Sequence, residues 1–116
     1  MALVDVSREG DRLAVANGGS IVTGALPAAQ KLKLGLRPDA VRLQRGQGGE
    51  GLSASVVYTE YLGDNAYVYA RLADGTLLSA RTTPNDLFAP DEAVTVTVEL
   101  GSAHYFSAED GRRLTP

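Results

Sequence analysis

Val94-Thr95-Val96-Thr97-Val98-Glu99-Leu100 carries an apolar side chain at every even position. Successive side chains of a strand leave on opposite faces, so this alternation predicts a half-buried β-strand and not a helix of period 3.6. The same rule puts Leu32, Leu34 and Leu36 on one face with Lys31, Lys33 and Arg37 on the other, and sets Val41 and Leu43 opposite Arg42. Leu52-Ser53-Ala54-Ser55-Val56-Val57-Tyr58 and Ala66-Tyr67-Val68-Tyr69-Ala70-Arg71-Leu72 continue the pattern.

Between these runs stand residues that adopt positive φ cheaply: Asn17-Gly18, Gly63-Asp64-Asn65 and Asp74-Gly75. Residues 13–15 are therefore expected to pair with 21–22, and 68–72 with 77–80. Helical periodicity is weak throughout. Only Pro27-Ala28-Ala29-Gln30 and Pro84-Asn85-Asp86-Leu87-Phe88 offer single helical turns, each with Pro at the first position. Around ten short strands at regular spacing predict an all-β domain, a small sandwich or a Greek-key barrel of the OB-like kind, with few or no helices.

The chain has 116 residues, 44% of them hydrophobic, which suits one compact domain spanning 1–116. The Gly-rich stretch 44–51 holds four glycines and no large apolar residue, and it reads as a surface loop between two strand groups. Neither group has the apolar residues to fold alone. There is no Cys, so stability rests on packing, without disulfides or thiolate-metal clusters. No apolar run approaches the ~20 residues needed to cross a bilayer as a helix.

Chemistry is sparsely represented. A Ser-His-Asp arrangement finds no G-x-S-x-G turn, and the single histidine, His104, lies beside Tyr105 and Phe106 in a terminal strand where packing explains it. Metal sites are not expected, because one His and scattered carboxylates such as Asp91-Glu92 and Glu109-Asp110 form no ligand pattern. The same scatter gives no facing carboxyl pair for glycoside hydrolysis. No G-x-x-x-x-G-K-[ST] loop is present, so no catalytic residue and no bound cofactor is assigned to this segment. Tyr58, Tyr61, Tyr67 and Tyr69 beside Arg71 and Arg81 raise a nucleic-acid reading through base stacking. The net charge of -3 argues against it, because phosphate-backbone affinity needs clustered cations. Tyr67, Tyr69 and Arg71 share one strand face and form the candidate interface.

Gly35-Leu36-Arg37-Pro38-Asp39 resembles the G-[IL]-R-P-[ED] pattern opening the TOBE-type accessory domain of importer ATPases of the maltose and glycerol-phosphate kind. Val57-Tyr58-Thr59-Glu60-Tyr61-Leu62-Gly63 is similar to that family's strand and turn ending in E-x-L-G. Ala89-Pro90-Asp91-Glu92-Ala93-Val94 resembles its x-P-G-[DE]-x-V segment, with Asp91 in place of the usual Gly. His104-Tyr105-Phe106 and Asp110-Gly111-Arg112-Arg113-Leu114 resemble its H-x-F and closing patterns. Residues 31–114 carry these matches as a core barrel, and 1–30 resemble the lead-in hairpin strands. The matched positions are Gly35, Arg37, Pro38, Asp39, Glu60, Leu62, Gly63, His104 and Phe106, most of which make physical sense as fold corners. Arg37 must lie extended before Pro38, Pro38 ends a paired strand, and Gly35 marks a bulge or a close backbone approach.

The resemblance implies an OB-like or MOP-like barrel and a non-catalytic regulatory and dimerisation role in the ATP-binding subunit of a carbohydrate ABC importer. It implies a homodimer through the same domain of a second subunit, indirect contact with the importer's membrane subunits, and docking of a regulatory protein. ATP and magnesium belong to the ATPase part of such a subunit, and its place is cytoplasmic, on the inner face of the plasma membrane. No nucleic-acid partner is implied, and the transported solute is chosen elsewhere. Related domains of oxyanion importers hold molybdate-like anions, which gives a rival reading with backbone amides around Gly35 or Gly63 and a nearby Lys or Arg.

Overall fold

The computed structural model describes residues 1–16, 18–46, 50–83 and 88–116. Asn17, the middle of the Gly-rich loop and residues 84–87 of the second expected helical turn lie outside the described residues. Among the described residues eleven strands follow one another: β1 (Ala2–Glu9), β2 (Arg12–Ala14), β3 (Gly19–Ile21), β4 (Lys31–Leu36), β5 (Val41–Arg45) and β6 (Gly51–Leu62), then β7 (Asn65–Leu72), β8 (Leu77–Thr82), β9 (Ala93–Val98), β10 (His104–Ser107) and β11 (Arg113–Leu114). The all-β expectation holds. Pairing follows the expected hairpins, with Leu13 opposite Ile21 and Ala70 opposite Leu78.

The sheet runs β11-β10-β4-β1-β2-β3-β6-β7-β8, and β9 joins it by pairing with both β6 and β5. Every ladder is antiparallel. The strands curl round one core in which Val4, Leu13, Leu34, Leu52, Val68 and Val96 are wholly buried. Among the described residues the hydrogen-bonded ladder does not close into a barrel. Instead β5 and β8 meet by packing, across a seam lined by Val41, Leu43, Ala80, Thr82 and Phe88. Arg45 covers the Phe88 ring at 4.3 Å, a cation-π contact over the seam.

Three local departures from the alternation have physical causes. Leu100 continues the apolar pattern of β9 but is 66% exposed, because the strand stops at Val98 and the Glu99 amide turns to the Ala40 carbonyl at 2.9 Å. Thr95 is buried although its phase is polar, and its hydroxyl donates to the Gly46 carbonyl at 2.8 Å, which satisfies it. Residues 27–30 form no helical turn. Their carbonyls go to Arg8, whose guanidinium donates to Pro27 and whose amide donates to Gln30.

The departure in β6 matters most. β6 carries a bulge between Val56 and Tyr58, opposite Ala70 and Tyr69. The Val56 amide donates to the Glu92 carbonyl at 3.0 Å, and the Val56 carbonyl accepts from the Asp91 amide at 2.7 Å. Both backbone groups of Val56 thus serve the turn before β9, and the extra residue Val57 lets β6 rejoin β7 with its phase reversed. Thr59 then faces inward opposite Val68, while Tyr58 and Glu60 face outward. The Thr59 hydroxyl is buried and has no hydrogen-bond partner among the described residues.

Asp91 has φ 66°, the one positive value at a non-glycine among the described residues, and it stands where the family pattern has Gly. An L-residue in this region is strained, and glycine is not. Asp91→Gly is therefore expected to raise stability by about 0.5–1 kcal/mol, read as a shifted urea midpoint at unchanged slope. Glu92 accepts from the Ala89 amide at 2.9 Å and from Arg45, and these bonds hold its carboxyl below the usual range. A depressed folded-state value gives stability that is present above the unfolded pKa and lost as pH falls through the folded one. Between pH 7 and pH 3 the wild type should lose stability below about pH 4, and Glu92→Gln should show a shallower loss in the same urea series.

Candidate functional site

The family-pattern residues gather in two groups. At the first, β4 ends at Leu36 and the backbone of Arg37 is extended, with φ -88° and ψ 149°, as the following proline demands. Pro38, Asp39 and Ala40 make one 3₁₀ turn, and the Ala40 amide donates to Arg37. The Arg42 guanidinium caps the corner by donating to the Asp39 carbonyl at 2.7 Å and pairing with Glu99 at 3.3 Å. Gly35 lies inside β4, opposite Leu3 on one side and His104 on the other. It is a close approach and not a bulge: an added Cβ would lie 2.8 Å from Met1 Sδ and 2.9 Å from the Phe106 ring. His104 Nδ1 meets the Arg113 guanidinium at 3.0 Å. A guanidinium only donates, so that ring nitrogen is the acceptor in this contact.

The second group is the β6–β7 hairpin. Gly63 turns it with φ 65°, and Glu60 and Leu62 precede it on the outward phase set by the bulge. Tyr58 and Tyr69 stack across the strands with ring centroids 4.5 Å apart and planes 10° apart. Burial in the stack, followed by the nearby Glu60 charge, pushes the Tyr69 phenol upward. Tyr67, Tyr69 and Arg71 share the outward face of β7, next to Arg81, Ser79 and Leu77 of β8. The bulge adds Tyr58 to this face, which strict alternation along β6 does not foresee. Tyr61 stays on the other phase, opposite Ala66.

Tyr67 and Arg81 join the two groups. With Met1, Arg37, Pro38 and Asp39 they line one open pocket of about 420 Å³. Arg81 was legible only as an outward residue of its strand, since nothing local ties it to Arg37. The backbone amides near Gly35 face paired strands on both sides, and Gly63 is flanked by Glu60 and Asp64, so neither glycine has the setting of an anion cradle. Among the described residues no cluster of three or more His, Asp or Glu side chains could hold a metal ion.

The corner, the hairpin and the strand order between them define a recognisable class. The chain belongs to the TOBE domain family, whose model matches residues 34–106. It is 40% identical over 90% of its length to the sn-glycerol-3-phosphate import ATP-binding protein UgpC of Chromobacterium violaceum. It is 38% identical over 67% of its length to the spermidine/putrescine import ATP-binding protein PotA 1 of Pseudomonas aeruginosa. It is 29% identical over 90% to the multiple sugar-binding transport ATP-binding protein MsmK of Streptococcus mutans. The chain spans 29%, 22% and 29% of the length of these relatives.

The close approach at Gly35 is testable. Gly35→Val should cost about 1–3 kcal/mol, because its Cβ and two methyls must push aside the Phe106 ring and Met1, and Gly35→Ala should cost less since it adds the Cβ alone. Urea unfolding of the two variants checks the order.

Proposed function

We propose that this chain is the non-catalytic accessory domain of the ATP-binding subunit of a carbohydrate ABC importer, and that it works by binding a second copy of itself. The single observation that carries the self-association is the outer face of β6, β7 and β8. There Tyr58 and Leu62 are about half exposed beside Leu77, Tyr67 and Tyr69, a concentration of apolar and aromatic surface on a small domain. Glu60 lies on the same face as Arg71 and Arg81. A face that carries both signs is self-complementary about a two-fold axis, since each copy offers what the other needs.

The role in an importer rests on the TOBE family and on relatives named as import ATP-binding proteins. Those relatives carry different cargoes in their names, which agrees with cargo choice lying outside this domain. ATP and magnesium would bind in the ATPase part of the subunit, and the paired accessory domains would keep two such parts together at the inner face of the membrane. Tethering makes reopening and reclosure of the catalytic contact intramolecular, with an effective concentration set by the tether. A regulatory protein that favours one spacing of the pair would bias the cycle by its difference in affinity for the two spacings. Among the described residues no helix is long and apolar enough to cross a membrane.

Sedimentation across a concentration series tests the contact. The wild type should move from monomer to dimer, and the exposed substitution Leu62→Asp should abolish the shift while leaving the far-ultraviolet circular dichroism unchanged. A wild type that stays monomeric, or a variant that still dimerises, overturns the assignment of this face.

A further inference from the structure

Cys and Trp are absent from the sequence, and the one methionine is Met1. A one-electron oxidant that reaches this protein finds no thiolate and no indole, so the five tyrosine phenols are its readiest electron donors. Methionine takes a different route, oxygen transfer to the sulfoxide.

The five phenols are unequally placed. Tyr105 is buried, with its hydroxyl paired to that of Thr23 at 2.8 Å. Tyr61 is exposed but stands opposite Ala66, and Tyr67 stands opposite Glu60. Tyr58 and Tyr69 alone among the five stand directly opposite one another in a ladder, with ring centroids 4.5 Å apart and planes 10° from parallel. Opposed residues of an antiparallel pair have Cβ atoms about 4.5–5.5 Å apart, so two rings of equal length end at the same height above the sheet. Turning each ring about its Cβ–Cγ bond brings an ortho carbon of Tyr58 against an ortho carbon of Tyr69, a movement within the side chains. Tyr58 is 46% exposed, which leaves room for that turn and a path to water for a released proton. Glu60 follows Tyr58 on the same outward phase and acts electrostatically on Tyr69. A negative charge there makes it easier to withdraw an electron from the pair.

We propose that Tyr58 and Tyr69 are a site of oxidative modification, at which a one-electron oxidant joins the two rings into an intramolecular dityrosine. The oxidant is of the class of a high-valent metal complex or a peroxidase intermediate. Each phenol gives one electron to it and its hydroxyl proton to water, leaving two phenoxyl radicals with spin density on the ortho carbons. Those carbons form one C–C bond; each then loses its hydrogen as a proton while its ring oxygen regains one, so both phenols are restored. The pair has lost two electrons and two protons, and two equivalents of oxidant are each reduced by one electron. Holding the two radicals side by side makes their coupling intramolecular and favours it over any encounter between separate phenols. The product ties β6 to β7 just past the bulge. The site lies on the proposed dimer face and goes beyond that reading, since it needs only residues of one copy.

The test oxidises the whole chain with a photogenerated ruthenium(III) tris-bipyridyl complex, with free N-acetyltyrosine as a control for coupling. It is run on dilute wild type and on Leu62→Asp, so that the product is read whether or not the chain self-associates. Intact mass spectrometry should show a monomer lighter by two hydrogen atoms, with the fluorescence of dityrosine. Cleavage after Glu60 falls between the two rings, so the flanking peptides should stay joined, and fragmentation should place the bond between Tyr58 and Tyr69. This product should exceed every other coupled pair by about tenfold or more. Tyr58→Phe and Tyr69→Phe keep a ring in the stack without its phenol, and each should cut the intramolecular product by about the same factor. Tyr61→Phe and Tyr67→Phe should leave it unchanged. An unaltered mass while N-acetyltyrosine is coupled, coupling found only between copies, or an internal bond made by Tyr61 or Tyr67 overturns the site. An undiminished yield in Tyr58→Phe or Tyr69→Phe overturns it as well.

Discussion

A strand offers only two faces, and this domain depends on keeping one of them dry. Leu34 of β4, Leu52 of β6, Val68 of β7 and Val96 of β9 are wholly buried in one cluster, though they come from strands far apart in the chain. Burying each such side chain is worth about 1.5–3 kcal/mol, and shifting any strand by one residue would turn its entire apolar set to solvent. Phase is therefore the constraint to which the other features answer. Where the chain must break phase, it does so at a visible device: the proline corner after β4, the bulge in β6, and the strained turn before β9.

These devices are coupled. The turn that holds Asp91 at positive φ donates to and accepts from Val56, and beyond Val56 the ladder to β7 skips one residue, Val57. The resulting bulge brings Tyr58 to the outer face and into its stack with Tyr69. A backbone hydrogen-bonding requirement on one side of the sheet thus shapes the candidate interface on the other. The polar interior follows the same economy, with Thr23 and Tyr105 satisfying one another at 2.8 Å where neither hydroxyl has access to water.

The open seam between β5 and β8 gives the domain its particular form. Phe88 fills it from the connection before β9, and Arg45 lies over the ring while also holding Glu92. Side-chain packing thus does at this one line what backbone pairing does elsewhere. The outer face of β8 is left beside the proline corner, which is how Arg81 comes to share a pocket with Arg37.

Much was legible from residue order alone. Alternation gave the strands, since a period of two needs no knowledge of neighbours; Asn-Gly and Asp-Gly steps gave the hairpins; and Arg37-Pro38 announced a corner through sterics confined to two residues. Local chemistry could also mark Gly35 as special, but not say why. The close approach of Met1 and Phe106 to it, the bulge that reversed β6, the end of β9 before Leu100 and the meeting of Arg37 with Arg81 were decided only by tertiary structure. Each depends on a partner many residues away, and a one-dimensional pattern holds no distance between residues that the chain itself does not join.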